Sequence, residues 1–185
     1  MYPTPDRPRD RVLGAMQRLC LLTTGGTIEK TYDEETGELA NRRSIVRRML
    51  DELRLDDLQV EILELMSKDS LEMTEEDRAE VVAAVGGVLE RPEDLGGVVV
   101  LHGTDTLTRT GERLLEAFPS PPVPVVLTGA MRPFEMKRSD ALQNLTEAIF
   151  AARALPPAIY CVAHGRALRF PGVEKDRERG TFVGR

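Results

Sequence analysis

Apolar residues in this chain gather into five short runs separated by amphipathic stretches, and that rhythm predicts its elements. Leu19–Thr24 is an unalternated run broken by Gly25-Gly26, as expected of a strand buried on both faces. Glu29–Asn41 is polar, with a turn at Thr36-Gly37, and reads as a mobile loop or hairpin. Over Ser44–Leu53, Ile45, Met49 and Leu53 recur at spacing four, predicting a helix with Ser44 as N-cap. Val60–Leu65 sets Val60, Ile62, Leu63 and Leu65 against Glu61 and Glu64, a second strand. Thr74 opens a long helix, with Asp77 at the capping-box position and Val82, Val85 and Leu89 on its apolar face.

Gly97–Leu101 is the third strand, again without alternation. A helix over Leu107–Phe118 follows, and the prolines of PSPPVP lead into strand four, Val123–Thr128. After the polar loop GAMRPFEMKRSD comes a helix over Ser139–Leu155, then strand five, Ala158–Ala163. The last twenty residues, rich in Gly, Arg and Glu, are expected to add little core. Strands alternating with helices imply an α/β, doubly wound, mostly parallel five-stranded sheet of flavodoxin-like kind, with helices on both faces.

Composition narrows the picture. A chain of 185 residues suits one domain, taken as residues 17–185 after a disordered extension over residues 1–16. Those first residues carry charge and proline but no apolar core of a secretory signal. No apolar run approaches the ~20 residues that span a bilayer. The net charge of −6 argues against a nucleic-acid surface. Two cysteines, Cys20 and Cys161, sit inside apolar strands and read as core filling in a reducing, cytoplasmic compartment. With two histidines and no ligand spacing, no metal is expected. P-loop and dinucleotide fingerprints are both missing.

Chemistry-bearing residues collect at the strand ends: Thr24 and Thr27; Ser67, Asp69 and Ser70; Thr104, Asp105 and Thr106; Thr128; His164. In a parallel sheet these ends share one edge, where ligands bind. Singly, each is an ordinary helix cap or turn residue. In order, TTGGTI, KDSLEMT, HGTDTL and TGAMRP resemble the bacterial-type L-asparaginase family, over about Leu19 to Lys175.

That resemblance implies an amidohydrolase converting L-asparagine to L-aspartate and ammonia through a threonine nucleophile, with no cofactor and as a homodimer. Thr27 matches the loop threonine, and Tyr32 the tyrosine that orients it. Asp69 and Ser70 match the pair that holds the substrate's α-carboxylate and amino group, with Gly26 and Gly103 beside them. Thr104, Asp105 and Lys175 match a threonine–lysine–aspartate relay, in which Asp105 would orient the threonine or bind the substrate ammonium. A lysine accepts a hydroxyl proton only when neutral. Backbone N–H groups near Gly103 and Thr104 would receive the oxyanion. His102 and His164 read as structural. The family's second, smaller domain has no counterpart here, so the chain resembles a short form. Leu71 stands where secreted members often carry glutamine, which favours a cytoplasmic type and argues against glutaminase activity. A non-catalytic amino-acid binding module and an amidase subunit of a larger amidotransferase are the alternatives.

Overall fold

The computed structural model describes residues 17–185, and the expected disorder of residues 1–16 lies outside the described residues. The strands are β1 (Gln17–Gly25), β2 (Thr31–Tyr32), β3 (Leu39–Ala40), β4 (Leu58–Lys68), β5 (Leu95–Leu101), β6 (Val125–Thr128), β7 (Ile159–Ala163), β8 (Arg166–Arg169), β9 (Val173–Asp176) and β10 (Thr181–Gly184). The helices are α1 (Val46–Asp51), α2 (Glu75–Leu89), α3 (Leu107–Ala117) and α4 (Ala141–Ala154). Single 3₁₀ turns cover Thr27–Glu29 and Ser70–Glu72.

The main sheet runs β4-β1-β5-β6-β7-β8. Its first five strands are parallel, in the flavodoxin-like order expected. The sheet is one strand wider than predicted, because β8 folds back antiparallel on β7 through a turn at His164-Gly165, both at positive φ. Alternate residues of β1 feed two cores. Cys20 and Leu22 pack with Val81, Val85 and Leu114 under α2 and α3, whereas Leu19 and Leu21 pack with Met49 and Leu145 under α1 and α4. That double burial explains the lack of alternation in β1 and β5. β4 alternates because it lies at the sheet edge, and Leu63 there is partly open.

Two sequence readings change. The last twenty residues do contribute core: Phe170, Val173 and Phe182 are buried beneath α3 and β7. Their spacing follows neither a helix nor a strand period, because β8, β9 and β10 are four-residue strands joined by turns at Gly172 and Gly180. Helix α1 is capped by Ile45 rather than Ser44. The Ser44 hydroxyl instead donates to Glu29 Oε1 at 2.5 Å, and the same oxygen accepts the Ile45 N–H. Glu29 and the Ser44 hydroxyl, which accepts the Val46 N–H at 3.3 Å, therefore share the helix start. The polar stretch after β1 folds as a small β2–β3 hairpin. The capping box at Thr74 and Asp77 forms as predicted, each side chain bonded to the other's backbone N–H.

Candidate functional site

The strand order reverses between β1 and β5, which pair directly, Thr23 lying beside Leu101. Such a switch point opens a crevice at the carboxyl ends of the two strands. Thr27 leaves β1 into that crevice and Thr104 leaves β5. The Thr24 hydroxyl donates to the Leu101 carbonyl at 3.0 Å and ties the two exits together.

The turns pack backbone against backbone. Gly26, at φ 77°, lies so close to the next motif that a Cβ there would stand 2.5 Å from Gly103 Cα. A Cβ on Gly103 would in turn meet Ser70 Cβ and Oγ at 2.6 Å. Three motifs distant in sequence thus interlock through two positions that admit no side chain. The Thr106 hydroxyl completes the join by donating to the Ser70 carbonyl at 2.8 Å.

Lys175 reaches this crevice from β9. Its Nζ donates to Thr104 Oγ1 at 2.7 Å and to Asp105 Oδ1 at 3.1 Å. Thr104 is buried and the Lys175 side chain is only 15% exposed, so the contact is shielded from water. Phe182 of β10 stands opposite Lys175 in the ribbon register, which places the two on one face and the lysine stem beside a core aromatic. Arg177, on the exposed turn after β9, places a second cation 2.9 Å from Asp105 Oδ1.

Asp69 caps the turn of Ser70, accepting the Leu71 N–H at 3.1 Å, while its other oxygen meets Lys30 Nζ at 2.7 Å. The Lys30 bond, then the Leu71 N–H, then the fields of Lys30 and Lys175 hold this carboxyl below the usual carboxylate range. Ser70 is buried, and its Oγ has no hydrogen-bond partner among the described residues. A buried hydroxyl with no partner is costly unless a ligand supplies one.

Thr27 is partly buried at the head of its 3₁₀ turn, and its hydroxyl makes no hydrogen bond with the described residues. Tyr32 is not brought to it by any hydrogen bond. The Tyr32 side chain stands open to solvent, and the backbone N–H of Tyr32 donates to Glu135 Oε2 at 3.0 Å. Both histidines have structural partners. His102 is fully buried, with Nδ1 2.8 Å from the Gly103 carbonyl and Nε2 2.8 Å from the Thr110 hydroxyl. A carbonyl can only accept, so the Nδ1 proton donates to it and Nε2 accepts from Thr110. Burial drives the His102 pKa down to about 4. His164 bridges Asp140 and Thr181, and Asp140 accepts the Met131 and Arg132 N–H groups, which orders the loop after β6.

Three site neighbours escape the sequence patterns. Lys30 and Arg177 contact their carboxylates across 39 and 72 positions of chain, and no local pattern announces such pairs. Glu29, buried beneath the turn that carries Thr27, accepts from the Thr23 hydroxyl, the Gly25 N–H, the Ser44 hydroxyl and the Ile45 N–H. A charged residue directly after an apolar isoleucine is the available signal. Burial raises its carboxyl above the usual range, opposed by those hydrogen bonds.

Residues 18–179 match the family model described as Asparaginase, N-terminal. The L-asparaginase of Thermococcus kodakarensis is 35% identical over 143 residues, covering 77% of this chain and 43% of that protein. A glutamyl-tRNA(Gln) amidotransferase subunit of Aeropyrum pernix is 37% identical over 161 residues, covering 82% of this chain and 36% of its own length. Among solved structures, the thermostable L-asparaginase from Thermococcus kodakarensis superposes with a TM-score of 0.79 at 32% identity, covering 91% of this chain and 51% of its own. L-asparaginase I from Vibrio cholerae shares the fold at a TM-score of 0.74 and 24% identity, covering 92% of this chain and 52% of that one. The chain therefore spans about half, or less, of the length of these relatives.

Proposed function

Because the chain belongs to the asparaginase family, we propose that it hydrolyses the side-chain amide of L-asparagine to L-aspartate and ammonia. The observation that carries this reading is Lys175 Nζ, 2.7 Å from Thr104 Oγ1 and 3.1 Å from Asp105 Oδ1. A threonine hydroxyl is a weak nucleophile until a base removes its proton, and a lysine that has given up a proton of its own is such a base. Asp105 orients Lys175 through the bond that its Oδ1 accepts. In the first step a threonine Oγ–C bond forms and the amide C–N bond breaks. The hydroxyl proton passes to the departing nitrogen, which leaves as ammonia. Water then attacks the resulting ester, releasing aspartate and restoring the hydroxyl. Thr104 and Thr27 are the two threonines that this reading offers as nucleophile. Trapping the acyl-enzyme and locating the modified peptide by mass spectrometry identifies which one carries the ester.

In this reading Asp69 and Ser70 hold the substrate's α-carboxylate and amino group, and the unpartnered Ser70 hydroxyl supports that role. The test is ammonia release by the purified chain, with L-asparagine compared with L-glutamine. Release from asparagine at a rate well above that from glutamine supports the reading, and no release from either refutes it. A homodimer in a reducing, cytoplasmic compartment belongs to the same reading, and sedimentation of the purified chain tests the assembly.

A second reading rests on the match to glutamyl-tRNA(Gln) amidotransferase sequences, at 34% identity over 159 residues in Pyrobaculum aerophilum. Here the same chemistry would release ammonia inside a larger assembly. Stable recovery of a second protein or of RNA with the tagged chain would favour it over free asparagine hydrolysis.

A further inference from the structure

Glu29 is a carboxylic acid where a protein core ordinarily holds an apolar side chain. It ends the 3₁₀ turn Thr27–Glu29, is 1% exposed, and follows the fully buried Ile28. Its Oε2 accepts the Thr23 hydroxyl and, at 3.2 Å, the Gly25 N–H. Its Oε1 accepts the Ser44 hydroxyl at 2.5 Å and the Ile45 N–H at 3.3 Å. Taking the proposed hydrolysis as premise, we infer that Glu29 is a positioning residue, whose carboxylate clasps the end of β1 to the start of α1 and so holds the turn that carries Thr27.

One carboxylate oxygen serves the strand that enters the turn, and the other serves the helix that follows the hairpin. Ser44 and Ile45 stand 15 and 16 positions beyond Glu29, and the β2–β3 hairpin lies between. The clasp therefore closes the whole excursion at its base. On the upstream side, Thr27 is held by the packing of Gly26 on Gly103. On the downstream side the hairpin is largely open to solvent, and the Thr27 hydroxyl makes no hydrogen bond with the described residues. Ile28 and Glu29 are thus the buried side chains of the turn itself. An apolar side chain would fill the Glu29 volume without the cost of burying a carboxyl. Burial raises this carboxyl above its usual range, and Glu64 of β4 adds to the rise, whereas the bonds from Ser44, Ile45 and Gly25 oppose it. What a carboxylate alone supplies here is two acceptor oxygens, each facing one backbone N–H. A glutamine amide, whichever way it is turned, sets its NH₂ against one of those N–H groups.

Hydrogen–deuterium exchange of the full chain tests the clasp without reference to turnover. Glu29→Gln should speed exchange over residues 27–44 by about 10-fold to 100-fold, as the loss of a buried acceptor implies, and leave α2 and α3 protected. Ser44→Ala, which removes one donor on the α1 side, should speed exchange over the same residues by less. In turnover of asparagine, Glu29→Gln should lower kcat by about 10-fold to 100-fold and leave KM within about 3-fold, because the reacting group is misplaced while the substrate still binds. Glu29→Asp keeps the carboxylate on a shorter stem and should restore part of that kcat. Unchanged exchange over residues 27–44 in Glu29→Gln overturns the inference, since Ile28 and the glycine packing would then hold the turn unaided. An equal rise in α2 and α3 under both variants also overturns it, by marking a general loss of stability. So does faster exchange with an unchanged kcat. If exchange responds as expected but the unaltered chain releases no ammonia from asparagine, the hydrolysis falls and the clasp stands.

Discussion

At the residue scale, His102 makes a prediction independent of catalysis. Both its ring nitrogens are bonded inside the protein and it is neutral there, with a pKa of about 4 against an ordinary 6.5. The unfolded chain therefore binds a proton that the folded chain refuses between about pH 4 and pH 6.5. Stability from this residue is complete above pH 6.5 and is lost as pH falls towards 4, by up to about 3 kcal/mol. Glu29 works in the opposite sense, because its raised carboxyl favours the folded state at lower pH. The depressed carboxyls of Asp69, Asp77 and Asp140 act below their ordinary 3.8. Urea midpoints measured from pH 4.5 to 7 should rise with pH, and His102→Gln should flatten that slope. A slope unchanged by the substitution would assign the pH dependence elsewhere.

The site residues differ in how visible they are in the sequence. Thr27, Thr104 and Asp105 each follow an apolar run and a glycine, so a buried strand with a ligand-bearing end is legible locally. Lys175 is different, for nothing in the surrounding GVEKDRERG separates it from a solvated tail lysine, and only the family resemblance points to it. Lys30 lies three residues beyond Thr27, yet its partner is Asp69, 39 positions away. Ion pairs across a crevice have no periodicity to read.

At the element scale, the segment that delivers Lys175 depends on a seat in α3. Gly111 lies against the ring of Phe170, and a methyl at position 111 would collide with that ring. Phe170 ends the β8 return, and Val173 and Lys175 follow it directly in β9. Gly111→Ala should therefore displace Phe170 and cost about 1–3 kcal/mol, as overpacking does in other cores. The same displacement would move Lys175 relative to Thr104. Chemical denaturation and ammonia release should fall together in this variant. Loss of stability with an unchanged kcat would show that β9 holds its place without Phe170. Patterning does not foresee this segment because its buried residues, Phe170, Val173 and Phe182, are supplied singly by turns and four-residue strands. The long elements β1, β5, α2 and α4 are legible to within a few residues because each repeats its pattern several times.

At the scale of the molecule, an acidic chain gathers three cations, Lys30, Lys175 and Arg177, around two carboxylates at one sheet edge. No described helix is long and apolar enough to cross a membrane. The flavodoxin-like strand order brings β1 and β5 side by side, and the terminal ribbon carries Lys175 back to them across 71 positions of chain. The proposed chemistry depends on that closure. Its most direct check is the rate of ammonia release from L-asparagine by Lys175→Met beside the unaltered chain, with folding of both confirmed by circular dichroism. Loss of the base should lower kcat by about 10³-fold or more, as loss of one member of a catalytic triad does. A folded Lys175→Met variant that keeps the unaltered rate would contradict the Thr104–Lys175–Asp105 relay.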